Sequence, residues 1–196
     1  MEINAEQVKE LREKTGIGMM KCKEALVACE GSFDKAMDYL RKKGLATAEK
    51  KSARATNEGR VAGYIHTNNK VGVLVEINCE TDFVAKGDEF IQLTKDICMQ
   101  IAASKPIAIR REEIPPDTVA KEKEIYAEQV KGKPANIVDK IVEGKLNAFY
   151  EEMCLMEQPW IRDPAISIED LVKGKIAKFG ENITVRRFVR YQFGEE

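Results

Sequence analysis

His66 is the only histidine of the chain, and Cys79 is the next thiol downstream. A Cys–His pair is the one nucleophilic arrangement these residues suggest, because a thiolate attacks and a base must generate it. Catalysis needs further groups to orient the base, and the sequence places none beside either residue. Tyr64 shares a face with His66 at a predicted hairpin end, so a structural role is the alternative reading. Carboxylates are plentiful, but none stands out as a pair for acid–base work. Gly-x-x-x-x-Gly-Lys-Ser/Thr, Gly-x-Gly-x-x-Gly after a strand, and His-Glu-x-x-His are all missing. Gly16-Ile17-Gly18 falls between two predicted helices and reads as a breaker, not as a nucleotide loop. The five cysteines, Cys22, Cys29, Cys79, Cys98 and Cys154, contain no Cys-x-x-Cys pair. An odd number without metal spacing fits reduced structural thiols in a cytosol. The pattern argues against an enzyme, a metal site and a bound cofactor.

The remaining chemistry is recognition, and it centres on Thr81-Asp82-Phe83. Upstream, Val71, Val73, Val75, Ile77 and Cys79 alternate with Gly72, Leu74, Glu76 and Asn78. Period two predicts a half-buried strand. The alternation breaks at Glu80-Thr81-Asp82. Thr81 or Asp82 can cap a helix, because a short side-chain oxygen accepts from free backbone N–H groups there. Phe83 then falls on the first helical turn. Two readings stay open: the ring packs into the protein's own core, or a rigid turn presents it outward to a partner.

Residues 1–44 predict three short helices. Asn4 and Gln7 have capping-box spacing, with Ile3, Val8 and Leu11 as a narrow stripe. Met19, Met20, Cys22, Ala25, Leu26 and Cys29 predict the second helix. Gly31-Ser32 starts the third, with Phe33, Ala36, Met37 and Leu40 inward, and Arg41-Lys42-Lys43-Gly44 is a predicted stop. Met19 and Met20 either fill this small core or adapt to a partner's apolar surface. Residues 45–60 read as a basic linker whose alanines leave partial helical character open. From Arg41 to Arg60 there are seven Lys and Arg against two Glu. No aromatics are interleaved for base stacking, so nucleic-acid binding is not expected.

Residues 61–66 predict a strand that pairs with 71–79 through the turn at 67–70. Phe90, Leu93, Ile97 and Ile101 predict an amphipathic helix that ends at Lys105-Pro106. Ile107–Ile109 is extended. Pro115-Pro116-Asp117 opens a charged helix carrying Val119, Tyr126 and Val130. After the break Gly132-Lys133-Pro134, residues Ile137, Val138, Ile141, Val142, Leu146, Phe149 and Met153 form the longest apolar stripe, predicting an antiparallel helical hairpin over 117–154. Residues 155–160 are extended and Asp163-Pro164 turns. Ser167–Asp170 is a capping box for a helix lined by Ile168, Leu171, Val172, Ile176 and Phe179. The last strand spans 182–193. Ile183, Val185, Val189, Tyr191 and Phe193 are expected to pair with the hairpin, with Arg186, Phe188 and Arg190 on the other face as a partner surface or as an aromatic shielded by arginine stems.

The 196 residues suffice for one or two small domains with a real core. A net charge of −1 argues against a dedicated nucleic-acid binder. No apolar run approaches the roughly 20 residues that span a bilayer. Met-Glu-Ile-Asn-Ala has neither a basic region nor an apolar core, so a secretory signal is not expected and the location is read as cytoplasmic.

Asn78-Cys79-Glu80-Thr81-Asp82-Phe83-Val84 resembles the signature of the elongation factor Ts family, the exchange factors of the translational GTPase elongation factor Tu. Leu11–Met20, Ala36–Gly44 and Gly180–Phe188 are similar to further family segments, in the family's order. The resemblance implies an α+β fold: a three-helix module like ubiquitin-associated (UBA) domains at 1–44, then a 61–196 core of antiparallel sheet packed by helices, with the helical hairpin. It implies guanine-nucleotide exchange on Tu·GDP, with no nucleotide held by this chain. Asp82 and Phe83 match a turn whose ring wedges into the GTPase domain near Mg²⁺, flanked here by Thr81 and Val84. Gly16, Ile17, Gly18, Met19 and Met20 match the module's contact with the same domain. Longer members carry a second core subdomain and a coiled-coil insert, so the short form implies a homodimer. The rival reading is a UBA-type adaptor without exchange activity, working through residues 1–44.

Overall fold

The computed structural model describes residues 3–131 and 134–195. Gly132 and Lys133 of the predicted break lie outside the described residues. The described chain divides into two compact units. One comprises 1–60, 77–90 and 170–184, the other 61–76, 91–169 and 185–196. This partition cuts across the linear one expected from sequence.

In the first unit, helix α1 (Ala5–Thr15) starts at a full capping box. Gln7 N–H donates to Asn4 Oδ1 at 2.8 Å, and Asn4 N–H donates to the Gln7 side chain. Gly16 ends it at φ 65°, a left-handed position that suits a residue without Cβ. Helices α2 (Met19–Ala28) and α3 (Phe33–Lys51) complete a core of Val8, Leu11, Cys22, Ala25, Leu26, Ala36 and Leu40. Two expectations change. Met37 is exposed rather than inward. Helix α3 does not stop at Gly44 but continues to Lys51. A glycine inside a helix costs only about 1 kcal/mol. Continuing the helix buries Ala48, and at Gly44 the helix passes close to another: a Cβ there would lie 3.2 Å from the Ala177 methyl. The expected linker is therefore helical over its first seven residues.

Strands β1 (Glu58–Ile65) and β2 (Val71–Cys79) form the predicted hairpin, closed by His66 N–H donating to the Val71 carbonyl at 2.9 Å. Helices α4 (Asp82–Lys86) and α5 (Asp88–Ser104) follow, and Phe90, Leu93, Ile97 and Ile101 are all buried as their spacing predicts. A 3₁₀ turn at Arg111–Glu113 precedes α6 (Pro116–Gln129) and α7 (Ala135–Met153), the helical hairpin. It packs on the segments that flank it through a small core of Ala108, Ile114, Phe149 and Cys154. Strands β3 (Pro159–Trp160) and β4 (Asp163–Ser167) form a bulged antiparallel ribbon. The turn is thus at Ile161-Arg162, one step before the predicted Asp163-Pro164, and residues 155–157 turn rather than extend. Helix α8 (Ile168–Phe179) buries Ile168, Val172 and Ile176. Gly180, at φ 77°, ends it.

Strand β5 (Ile183–Gln192) pairs with β2, giving the order β1-β2-β5. Arg187 bonds Glu76 at 2.6 Å while Phe193 N–H reaches the Lys70 carbonyl, so the two strands run antiparallel. In the second unit the faces of this sheet are unequal. Val73 and Val75 are buried, and Arg190 on β5 donates to the Ala102 carbonyl of α5. Val61, Ile65, Leu74, Val189 and Tyr191 are exposed. They share one face: the Leu74 side chain lies 3.2 Å from a Cβ built on Gly63, and the Glu76–Arg187 pair joins the same face of β2 and β5. The last strand pairs with the hairpin as expected, and Val189, Tyr191 and Phe193 are exposed on it. Period two groups residues by face but does not say which face is covered.

Candidate partner-binding site

Strand β2 ends with Ile77 and Cys79 both buried. Burial of alternate side chains anchors the backbone up to the residue before Glu80. The Cys79 thiol donates to the Thr81 carbonyl at 3.1 Å. Burial first, then the nearby Glu181 carboxylate, pushes this thiol up to about 11, so it stays protonated. His66 is engaged elsewhere, its Nδ1 2.8 Å from the Tyr64 hydroxyl at the exposed hairpin end. The Cys79–His66 nucleophile reading is not supported: the thiol is a structural donor, held in its inert form.

Thr81 is the cap of α4, with β-region backbone and a side-chain oxygen that accepts from Val84 N–H. Asp82, the other candidate cap, sits on the first turn instead. Its carboxylate takes the Lys86 ammonium one turn on, at 2.6 Å, and this pairing lowers its pKa. Phe83 points outward and is 84 % exposed, more than any other large apolar side chain among the described residues. Between the two readings of Phe83, the core reading fails. Val84 is half-buried and Ala85 buried, so α4 is seated on one side and offers its ring on the other.

A carboxylate from a strand end 100 residues away holds the turn, and the carboxylate next to the turn holds that strand end in return. Glu181 accepts twice from Thr81, from N–H at 3.0 Å and from Oγ1 at 2.6 Å. Reciprocally, Glu80 accepts from Asn182 N–H at 2.6 Å. That backbone donor, followed by Arg54, lowers the Glu80 pKa. The Asn182 amide donates to the carbonyls of Ser52 and Arg54, at 3.2 and 2.8 Å. Lys51 Nζ bonds the Gly180 carbonyl. Sequence reasoning missed this set. Glu80 and Glu181 do not read as a pair because a hundred residues separate them; the only signal was Gly180-Glu181-Asn182 as a segment of the resemblance.

The second predicted group lies at the start of α2. Met19 and Met20 are 53 % and 71 % exposed, so the module's core does not use them. Cys22, Ala25 and Leu26 fill it instead. Gly16 is half-buried beneath the Lys178 side chain, whose Nζ would be only 2.3 Å from an added Cβ. Lys178 in turn holds Glu89 at 2.5 Å. Residues 16–20 and 81–84 belong to the same compact unit. Among the described residues no three His, Cys, Asp or Glu side chains cluster as a metal site, and no helix is long and apolar enough to cross a membrane.

A sequence model of the family described as Elongation factor TS matches residues 34–195. Curated relatives extend the similarity to the whole chain. An elongation factor Ts of Thermodesulfovibrio yellowstonii is 60 % identical over 196 residues, covering 100 % of this chain and 98 % of the relative. One of Fervidobacterium nodosum is 56 % identical with 100 % of both chains covered, and one of Thermotoga neapolitana 53 % identical with the same coverage.

Proposed function

The chain belongs to the elongation factor Ts family, and from that premise we propose that it binds elongation factor Tu·GDP and speeds GDP release. The observation that carries this reading is Phe83, a large apolar side chain held almost fully in solvent on a capped turn. Exposing an aromatic ring forgoes roughly 1.5–3 kcal/mol of burial, so a partner that covers it recovers that energy. A wedge also needs a backbone that cannot recoil, and buried Ile77 and Cys79 supply one. Thr81, Asp82, Phe83 and Val84 form the wedge. Displacing the groups around Mg²⁺ and the phosphate loop weakens the charge and N–H contacts that hold GDP phosphates. Linkage then requires GDP to weaken this chain's binding by the same factor.

Gly16, Ile17, Gly18, Met19 and Met20 form the second contact, which adds affinity. Exposed Phe83 favours this over an adaptor that works through residues 1–44 alone, because that adaptor leaves the ring without a purpose. The reading includes a homodimer. Its surface is the outer sheet face of Val61, Ile65, Leu74, Val189 and Tyr191. The apolar centre is flanked by Glu76 and Arg187, opposite charges that allow the face to meet itself across a two-fold axis. The test is release of labelled GDP from Tu. Substoichiometric chain should accelerate release; an unchanged rate at saturating chain overturns the proposal.

A further inference from the structure

Resting on that reading of Phe83, we propose that Glu181, Glu80 and Asn182 are positioning residues that aim the ring, although none of them need touch the partner. The chain crosses itself here in a reciprocal pattern. Glu181 takes both donors of Thr81, and Glu80 takes the backbone donor of Asn182. Hydrogen bonds to ionised acceptors are roughly twice as strong as neutral ones. Two acidic side chains this close in the fold would repel if they faced each other unpartnered. Each is instead occupied by donors from the opposite segment, with Arg54 beside Glu80 at 3.4 Å.

The consequence falls on Phe83. Helix α4 has only five residues, too few to hold its own direction. Its axis is set by what fixes its cap. Thr81 uses its hydroxyl oxygen to accept from Val84 and its hydroxyl proton to donate to Glu181. One side chain therefore joins the helix start to the strand-end clamp. Without Glu181, Thr81 keeps the cap but loses the anchor, and the ring samples more directions. Misplacing a working group by about 1 Å can cost on the order of a hundredfold in rate.

The experiment uses the full chain with Tu carrying labelled GDP. Glu181→Gln should lower the maximal release rate about tenfold while the concentration for half-effect changes less. In a Phe83→Ala background, Glu181→Gln should cause no further loss, because it acts only through the ring. A parent-like maximal rate for Glu181→Gln overturns the clamp, as does an equal loss in the Phe83→Ala background. Hydrogen exchange on the free chain reads the clamp without Tu. Amides 81–85 should exchange faster in Glu181→Gln while those of α5 do not; unchanged exchange at 81–85 overturns it. A parent chain that fails to speed GDP release from Tu defeats the proposed function, and the hydrogen-exchange measurement still decides the clamp.

Discussion

Phe83 is the residue at which stability and function should separate most sharply. Its ring contributes little burial to the free protein, so Phe83→Ala should shift stability by no more than about 0.5 kcal/mol. The same variant should keep a weaker complex with Tu and lose most of the GDP-release rate. Thermal melting beside a release assay checks both halves; an early melt with normal release would return the ring to the core. Asp82→Ala should be milder, since Asp82 does not cap α4 but pairs with Lys86 across one exposed turn. Met19→Ser with Met20→Ser should likewise leave melting unchanged and weaken the complex. The thiols give a pH test. Cys79, Cys98 and Cys154 are each raised from 9.0 to about 11, burial being the first cause. Below pH 9 they are protonated whether folded or not, and their contribution is intact. As pH rises from 9 towards 11 the unfolded chain ionises first, so stability falls across that window. Cys79→Ser, which keeps a donor for the Thr81 carbonyl, should flatten the alkaline side of the melting curve relative to the parent.

At the scale of elements, the telling case is α3. Its passage through Gly44 brings the helix against Ala177 of α8 within the first unit. Gly44→Leu should therefore destabilise by roughly 1–3 kcal/mol through overpacking, although leucine is the better helix former. Denaturant unfolding measures this. A stabilised Gly44→Leu would mean the two helices do not approach as described. The strand ends show the same dependence on distant partners. The start of β5 and the end of β2 are joined through Glu80, Glu181 and Asn182. Helix α5 stands apart from both: its buried positions follow from its own period, and no distant residue had to be known to read them.

For the whole molecule the prediction concerns assembly. An exposed apolar sheet face on a chain with net charge −1 has little electrostatic repulsion to keep copies apart. Light scattering at tens of micromolar, about that order and far above typical specific affinities, should give twice the 22.1 kDa of one chain. Leu74→Glu or Tyr191→Glu should give the single-chain mass without lowering the melting temperature of the monomer much, since both side chains are exposed in it. A single-chain mass for the parent protein removes the dimer from the reading.

The elements of this protein were largely determined by local pattern. Period two marked β2 to the residue, period 3.6 marked α5 and α8, and the Asn4–Gln7 spacing marked a real capping box. These are properties of neighbours along the chain, and backbone geometry enforces them within a few residues. The Thr-Asp-Phe turn was legible for the same reason, as was its likeness to a family. Four matters were decided only by tertiary structure. Phe83 and the methionines face solvent because other side chains filled the available core first. Gly44 lies within a helix because α8 needed a close approach there. The outer face of β5 is bare because the helix covers only one side of the sheet. Glu181 meets Thr81 because two strand ends, 100 residues apart, come side by side. In each case the cause is a packing partner remote in sequence, and no local period encodes which partner will arrive.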